Sequence, residues 1–178
     1  MEFNETLKAR HSVRQYTGAP VSEDEVREVI AAASLAPSWK NSQARRYYAA
    51  LSPEARARVL EHVLPEGNAK KAAGAGALLI TTCKKHTSGL GMGEDFANEL
   101  EDGWAIYDQG LADENLVLKA ADMGLATLIM GIRDAEQARK AFAIPEDEIV
   151  VAVIALGHPA ENPPARPRKP LDEILKVF

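Results

Sequence analysis

The residues best suited to chemistry near the start of the chain are Arg10, Ser12 and Arg14, which occupy alternate positions. Alternate residues of an extended segment project to the same side, so two guanidinium groups and a hydroxyl group would face one point. The paired N–H donors of an arginine match the oxygen atoms of a phosphate group. The spacing therefore indicates an anion site, although a basic turn facing water would explain these three residues equally well.

A second basic cluster, formed by Arg166, Arg168 and Lys169, lies in a tail with five prolines between positions 159 and 170. Prolines keep such a backbone extended and stiff. A rigid arm that carries two arginines at alternate positions could close over the anion bound by the first cluster. Taken alone, a cluster of this kind is more often a basic surface in contact with water.

Three further segments combine polar groups with a position at the end of a predicted element: Pro37 to Gln43, Asn68 to Lys71, and Met130-Gly131. Capping and packing would explain each of them adequately. The chain also contains no Gly-x-Gly-x-x-Gly after a strand and no Walker-type loop, which excludes the usual dinucleotide and nucleotide folds. A bound phosphate group would have to be held differently.

The composition narrows the class of protein. The 178 residues are 46% hydrophobic and 26% charged, which is typical of one globular domain over residues 1–178. The net charge of -5 argues against a general nucleic-acid binder. No apolar run approaches the roughly 20 residues of a membrane span, and the polar N-terminus lacks a secretory signal, so we expect a cytoplasmic protein. Cys83, the only cysteine, lies in an apolar run and is expected to be buried and not catalytic.

Hydrophobic periodicity, capping residues and helix breakers predict the elements that must position these groups. A capping box, Ser22 to Glu25, begins a helix that ends before Pro37. The other predicted helices are Ser52 to Leu64, Asn68 to Ala73, Gly103 to Asp122 and Asp134 to Phe142. The predicted strands are Arg46 to Leu51, Ala77 to Cys83, Ala126 to Met130 and Ile149 to Leu156. Several connections carry two helices or long loops, including a glycine-rich loop from Ser88 to Asp95, so the pattern favours an α+β fold over a doubly wound one.

Taken together and in this order, these segments resemble the nitroreductase-like family of FMN-dependent flavoproteins. The family's opening Arg-x-Ser-x-Arg is present as Arg10, Ser12 and Arg14, and its helix-end loop as Pro37 to Gln43. Its long central helix with the following Gly-Leu-x-Thr corresponds to Tyr107 through Thr127. The strand ending in Gly-x-Pro and the basic, proline-rich tail appear as Ala155 to Pro159 and Arg166 to Pro170. The resemblance covers nearly the whole chain.

The resemblance implies a three-layer α/β/α sandwich with a central mixed sheet, in an intertwined homodimer that binds FMN at the subunit interface. By the family pattern, the FMN phosphate would be held by Arg10, Ser12, Arg14, Arg166 and Arg168, with His11 beside the flavin. Asn68 and Lys71 would reach the polar edge of the ring, where Lys71 would tune the flavin. Leu128, Ile129, Met130 and Gly131 would lie against the ring. Pro37, Ser38, Trp39 and Asn41 would come from the partner subunit, although many relatives carry a small residue in place of Trp39.

The implied activity is that of an NAD(P)H-dependent flavin oxidoreductase that works by a ping-pong mechanism. Nitroaromatic compounds and quinones are the expected small-molecule acceptors. No metal site is expected, and no catalytic side chain, because the flavin carries the chemistry. Two alternatives stay open: a specialised relative, such as a reductive dehalogenase or a flavin-consuming enzyme, and a non-catalytic FMN-binding sensor or electron store.

Overall fold

The computed structural model describes residues 1–178, which form seven α-helices, two short helical segments of other types and four strands. In chain order the helices are α1 (Phe3–Ala9), α2 (Glu23–Ser34), α3 (Pro53–Arg58), α4 (Glu66–Ala72), α5 (Gly103–Asp122), α6 (Ala135–Phe142) and α7 (Leu171–Ile174). A 3₁₀ turn covers Trp39–Asn41, and a π-helical turn, Val59–Val63, continues α3. The strands are β1 (Arg45–Ala50), β2 (Ala77–Lys84), β3 (Ala126–Met130) and β4 (Glu148–Gly157).

The four strands form one sheet in the order β1-β2-β4-β3. Alternate residues of β2 serve the two faces: Leu78 and Ile80 pack with α6 and the π-helical turn, whereas Leu79 packs with α2 and α5. Helices therefore cover both faces, and the predicted α+β class and three layers are confirmed. The prediction of a mixed sheet is wrong for this chain, since every strand pair is antiparallel. The one parallel contact is an isolated bridge from Ser12 to Thr127.

Side-chain capping accounts for the starts of three of the seven α-helices. Ser22 and Glu25 form the predicted capping box at the start of α2. Ser52 caps α3 with Pro53 at its first turn, and the carboxylate of Asp134 caps α6. The long helix α5 covers the predicted residues, and Gly124, with a φ of 77°, follows its end. The sequence gives no signal for α1, whose N-cap residue makes no side-chain hydrogen bond.

The N-terminal segment crosses the sheet at a point lined with glycine. A Cβ atom added to Gly74 would lie 2.6 Å from the carbonyl oxygen of Tyr16, and one on Gly76 would lie 2.6 Å from the backbone nitrogen of Val21. A Cβ on Gly157, at the end of β4, would lie 2.9 Å from the nitrogen of Gly76. The backbones approach too closely for any side chain at these three positions.

A carboxylate is buried between α5 and β1. Asp113 is 5% exposed, and its Oδ1 atom accepts hydrogen bonds from the side-chain amide of Gln109 at 2.8 Å and from the hydroxyl of Tyr47 at 3.1 Å. Burial raises the pKa of Asp113 to about 6, and hydrogen bonding to Gln109, Tyr47 and Thr81 only partly offsets that effect. None of the helices has the length and apolar character needed to cross a membrane.

We expect Asp113→Asn to stabilise the protein at alkaline pH. A carboxyl group whose pKa is raised on folding contributes most to stability below its unfolded pKa, and this contribution is lost as the pH rises through about 6. The amide keeps the acceptor oxygen without the buried charge. The free energy of unfolding should therefore increase by on the order of 1 to 3 kcal/mol at pH 8 and change little at pH 4.5. Urea unfolding of both chains at the two pH values measures this. A variant that is less stable at pH 8 would contradict it.

Candidate functional site

Four arginines from the two ends of the chain line one cavity of about 330 Å³. The residues of the N-terminal segment that line it are Arg10, His11, Ser12 and Arg14, and those of the tail are Pro163, Pro164, Ala165, Arg166, Pro167 and Arg168. Lys169 lies outside this set and pairs with Glu173 at 3.3 Å. The structure thus brings the two basic clusters together, and four guanidinium groups with one hydroxyl suit a dianionic group.

Backbone contacts set the position of both basic segments. The N–H of Val13 donates to the carbonyl oxygen of Thr127 on β3 at 3.1 Å, which fixes the first segment at that edge of the sheet. The N–H of Ala160 donates to the carbonyl oxygen of Gln15 at 2.9 Å, and the N–H of Arg14 donates to the carboxylate of Glu161 at 2.9 Å. The tail leaves β4 beside the N-terminal segment, so its arginines return to the same cavity.

His11 carries an unsatisfied polar atom in this region. Its Nε2 atom is buried and has no hydrogen-bond partner in the chain. The residue borders the arginine-lined cavity and also a second cavity of about 180 Å³ against α5 and β3. A buried polar atom without a partner is costly, so this nitrogen is suited to a group that comes from outside the chain.

The end of β3 extends away from the arginines toward α4. Leu128 and Met130 are buried in the core, whereas Ile129 is 48% exposed, and a Cβ added to Gly131 would meet nothing within 4 Å. The side-chain amide of Asn68, on α4, donates to the carbonyl oxygen of Ile132 at 3.1 Å. The four residue steps from Thr127 to Gly131 span about 13 Å, so the arginines and Asn68 lie at the two ends of one extended surface.

The two lysines of α4 differ in their partners. Lys70 pairs with Glu66 one turn earlier, with Nζ and Oε1 at 2.5 Å. Lys71 is exposed and makes no hydrogen bond or ion pair within the chain. Its ammonium group is therefore available to a ligand, while that of Lys70 already has a counter-charge.

The loop with Pro37, Ser38, Trp39 and Asn41 is not part of this surface within one chain. It precedes β1, which is at one edge of the sheet, whereas Ser12 and Gly131 belong to the β3 edge. Three strand spacings, about 14 Å, separate the two edges. Within one chain the loop therefore lies across the sheet from the arginine-lined cavity.

This loop instead packs on a surface that the sequence did not reveal. The indole N–H of Trp39 donates to the carbonyl oxygen of Leu90 at 2.9 Å, and the ring lies 4.9 Å from that of Trp104. The ammonium group of Lys40 donates to the carbonyl oxygen of Gly91. The carboxylate of Asp108 accepts a hydrogen bond from the backbone N–H of Trp39. In the sequence, only its acidic side chain in the mostly apolar helix α5 could have drawn attention to Asp108, and Asp113 shares that property.

Neither sulfur chemistry nor a metal offers an alternative centre. Cys83 is fully buried, and burial raises the pKa of its thiol to about 12, which agrees with the expectation of a buried, unreactive side chain. No group of three or more His, Cys, Asp or Glu side chains is arranged to hold a metal ion. In contrast to the buried sulfur of Cys83, the side chain of Met92 in the glycine-rich loop is fully exposed.

Comparison with known proteins agrees with this geometry. The model of the nitroreductase family matches residues 7–158, and the chain belongs to that family. An NADPH-flavin oxidoreductase of Vibrio harveyi is 29% identical over 173 residues, which cover 96% of this chain and 71% of that protein.

Two solved structures illustrate the shared fold. One is a protein of Exiguobacterium sibiricum assigned to the nitroreductases and determined in complex with FMN, with a TM-score of 0.90, 22% identity and coverage of 100% of this chain and 98% of that one. The other is an oxidoreductase containing FMN, with a TM-score of 0.75, 27% identity and coverage of 88% and 76%.

Proposed function

We propose that residues 1–178 form one FMN-binding domain that acts as an NAD(P)H-dependent oxidoreductase. The observation that carries the proposal is the cavity shared by the four arginines, Arg10, Arg14, Arg166 and Arg168, at the start of the exposed β3 surface. Membership of the nitroreductase family and the FMN in related oxidoreductases support it.

The arginine-lined cavity holds the phosphate group of FMN. The guanidinium groups and the hydroxyl of Ser12 supply charged donors, and each hydrogen bond to a charged group contributes about 1.5 to 3 kcal/mol. His11 lies beside the flavin, where its buried Nε2 atom gains a partner. The cluster suits a terminal phosphate dianion, so FMN is preferred over FAD, whose adenylate extension would collide with these donors.

The polar and apolar edges of the flavin ring meet different parts of the chain. The exposed side chain of Ile129 and the backbone of Leu128 and Met130, whose own side chains pack in the core, would lie against the ring. The backbone N–H of Gly131 or its neighbour would be available to N5. Asn68 and Lys71 reach the polar edge. When bound, FMN supplies the hydride chemistry, so the chain needs no acid and base pair of its own. The charge of Lys71 stabilises negative charge at N1 without reorganisation at the moment of reaction.

The site is completed by a second copy of the chain. Pro37, Ser38, Trp39 and Asn41 lie at the opposite edge of the sheet from the cavity, so they serve the flavin bound by the partner subunit in an intertwined homodimer. The exposed face of α5 is suited to this contact, because Ile106 and Tyr107 are 43% and 59% exposed and Gly110 leaves open space for the approach of a second helix.

The acceptors are small planar molecules such as nitroaromatic compounds and quinones, and turnover is of the ping-pong type. NAD(P)H and the acceptor would use the same face of the site in turn, and bound FMN would supply the hydride transfer between them. The hydride donor is NADH or NADPH, and the proposed location of the protein is the cytoplasm. A non-catalytic FMN module would bind the flavin equally well, and reduction of the bound flavin distinguishes the two.

We expect the purified protein to be yellow and to bleach when NADH or NADPH is added without oxygen. Adding menadione or a nitroaromatic compound should then restore the colour, because the electrons pass to the acceptor. Stopped-flow absorbance of the flavin band measures both half-reactions. A tightly bound flavin that neither nicotinamide reduces would indicate the sensor or electron store, and a colourless protein would disprove the flavin site itself.

We expect two impaired variants to restore activity to one another. Arg10→Ala weakens the cavity of its own chain, and Trp39→Asp disrupts the loop offered to the partner. In a heterodimer of the two, one site combines both intact surfaces, so about half of the parental activity should return. Differently tagged chains, unfolded together and refolded, provide the heterodimer, and each variant refolded alone is the control. Absence of recovery in a verified heterodimer would mean that each site is built from one chain.

We expect Lys71→Gln to lower the reduction potential of the bound flavin by roughly 10 to 30 mV, a modest shift because an exposed charge is screened. The reduced, anionic ring loses more stabilisation than the neutral oxidised ring, so reduction by NAD(P)H should slow. Lys70→Gln is the matched control, since Lys70 is paired with Glu66. A dye-equilibrated redox titration compares the three proteins. Equal potentials would mean that another group stabilises the reduced flavin.

A further inference from the structure

One buried carboxylate joins the Pro37 to Gln43 loop to the glycine-rich loop after β2. Asp108 on α5 is 4% exposed. Its Oδ2 atom accepts a hydrogen bond from the backbone N–H of Trp39 at 2.9 Å and another from the hydroxyl of Ser88 at 2.7 Å. The Oγ atoms of Ser88 and Ser42 are 2.7 Å apart. A single side chain therefore ties both loops to the helix.

The shape of the Trp39 loop depends on these tertiary contacts. Lys40, Asn41 and Gln43 have φ values of 45°, 56° and 50°, in the left-handed region that is unfavourable for residues with a side chain. The backbone N–H of Gln43 donates to the hydroxyl of Ser38 at 3.0 Å, which is a contact inside the loop. The backbone N–H groups of Asn41 and Ser42 also donate to carbonyl oxygens within the loop. The contacts to Asp108 and to the glycine-rich loop add the tertiary anchors that help to offset the backbone strain.

The same anchors hold an aromatic stack. The rings of Trp39 and Trp104 are 4.9 Å apart and inclined at 49°, and the edge of Tyr107 meets Trp104 at 5.7 Å. Trp39 is half-buried, and Tyr107 is 59% exposed. The indole of Trp104 donates to the side-chain oxygen of Asn98 at 2.9 Å. The stack thus runs from the loop to the surface of α5 that is proposed to meet the partner.

We propose that Asp108 is a positioning residue that fixes the Trp39 loop as an aromatic wall of the partner subunit's flavin site, and that this wall favours planar aromatic acceptors over compact non-aromatic ones. The inference rests on the proposed function. A planar acceptor between the flavin and an indole ring buries both of its faces. Because the wall is held in place before binding, little ordering is needed when the acceptor arrives.

Three variants separate this role from a general effect on stability. Asp108→Ala removes both hydrogen bonds, whereas Asp108→Asn keeps an acceptor oxygen in the same place. Asp113→Ala is the matched control, because Asp113 is the other buried carboxylate of α5 and bonds to Gln109 and Tyr47 instead of the loop. Light scattering verifies that each holoenzyme is still a dimer.

The kinetic measurement compares menadione, a planar quinone, with ferricyanide, which accepts an electron without stacking on a ring. For Asp108→Ala, we expect the KM for menadione to rise about tenfold, since small displacements of a positioning group have large effects. The ratio of kcat/KM for menadione to kcat/KM for ferricyanide should therefore fall about tenfold, because any effect of the displaced loop on the flavin or on NAD(P)H is common to both acceptors. Asp108→Asn should restore most of the menadione affinity, and Asp113→Ala should keep the parental ratio of the two acceptors.

The two tryptophans of the chain supply an independent spectroscopic measurement. Indole rings in contact couple their electronic transitions, which produces an exciton couplet in the far-ultraviolet circular dichroism spectrum. Asp108→Ala should weaken this couplet because the Trp39 loop moves away from Trp104, while Asp108→Asn and Asp113→Ala should retain it.

The outcomes distinguish this inference from the proposed function. If NADH and NADPH leave the flavin of the parent oxidised, the proposed function fails. If the parent turns over but Asp108→Ala keeps both the menadione KM and the couplet, the positioning role alone is wrong. Should Asp108→Ala fail to fold, Trp39→Leu changes the wall while every residue of α5 stays as it is. An unchanged ratio of menadione to ferricyanide turnover in that variant overturns the inference.

Discussion

The position of the anion cavity depends on the crossing of the N-terminal segment over the glycine-lined ends of β2 and β4. Gly74, Gly76 and Gly157 allow backbone to contact backbone there, so the segment lies flat across these strand ends after it leaves β3 at Ser12 and Val13. The tail starts from the end of β4 at the same place. Two basic segments that are about 150 residues apart in sequence can therefore meet, because side chains are absent where the backbones pass each other.

The sheet order imposes the second constraint, since it places β1 and β3 at opposite edges. A helix such as α5 can carry contacts to both sides, and it does so here: Asp108 bonds to the loop before β1, and Glu114 lies 4.0 Å from Arg10. The same helix has an exposed apolar face. In a dimer built on this face, one helix would connect the loop offered to the partner with the cavity retained by its own chain.

The sequence predicts those parts of the structure that a nearby residue determines. Ser22 and Asp134 stabilise helix starts through their own side chains, and the bounds of α5 follow from its apolar positions and Gly124. The π-helical turn at Val59–Val63 and the antiparallel sheet depend on packing between distant segments, so spacing cannot reveal them. For the site, spacing suggested that Arg10, Ser12 and Arg14 act together and that the arginines of the tail could close over the same anion, whereas the roles around the ring came from the family resemblance. Asp108 was missed because its partners, Trp39 and Ser88, are far away in sequence.

The burial of Cys83 has a consequence for the lifetime of such a protein. A reduced flavin that meets dioxygen releases hydrogen peroxide, which attacks thiolates in preference to thiols. With its thiol fully buried and the pKa raised to about 12, Cys83 presents almost no thiolate to peroxide formed nearby. Oxidative damage should instead begin at Met92, the fully exposed sulfur between Gly91 and Gly93. A sulfoxide there would alter a loop tip and leave the core of the sheet intact.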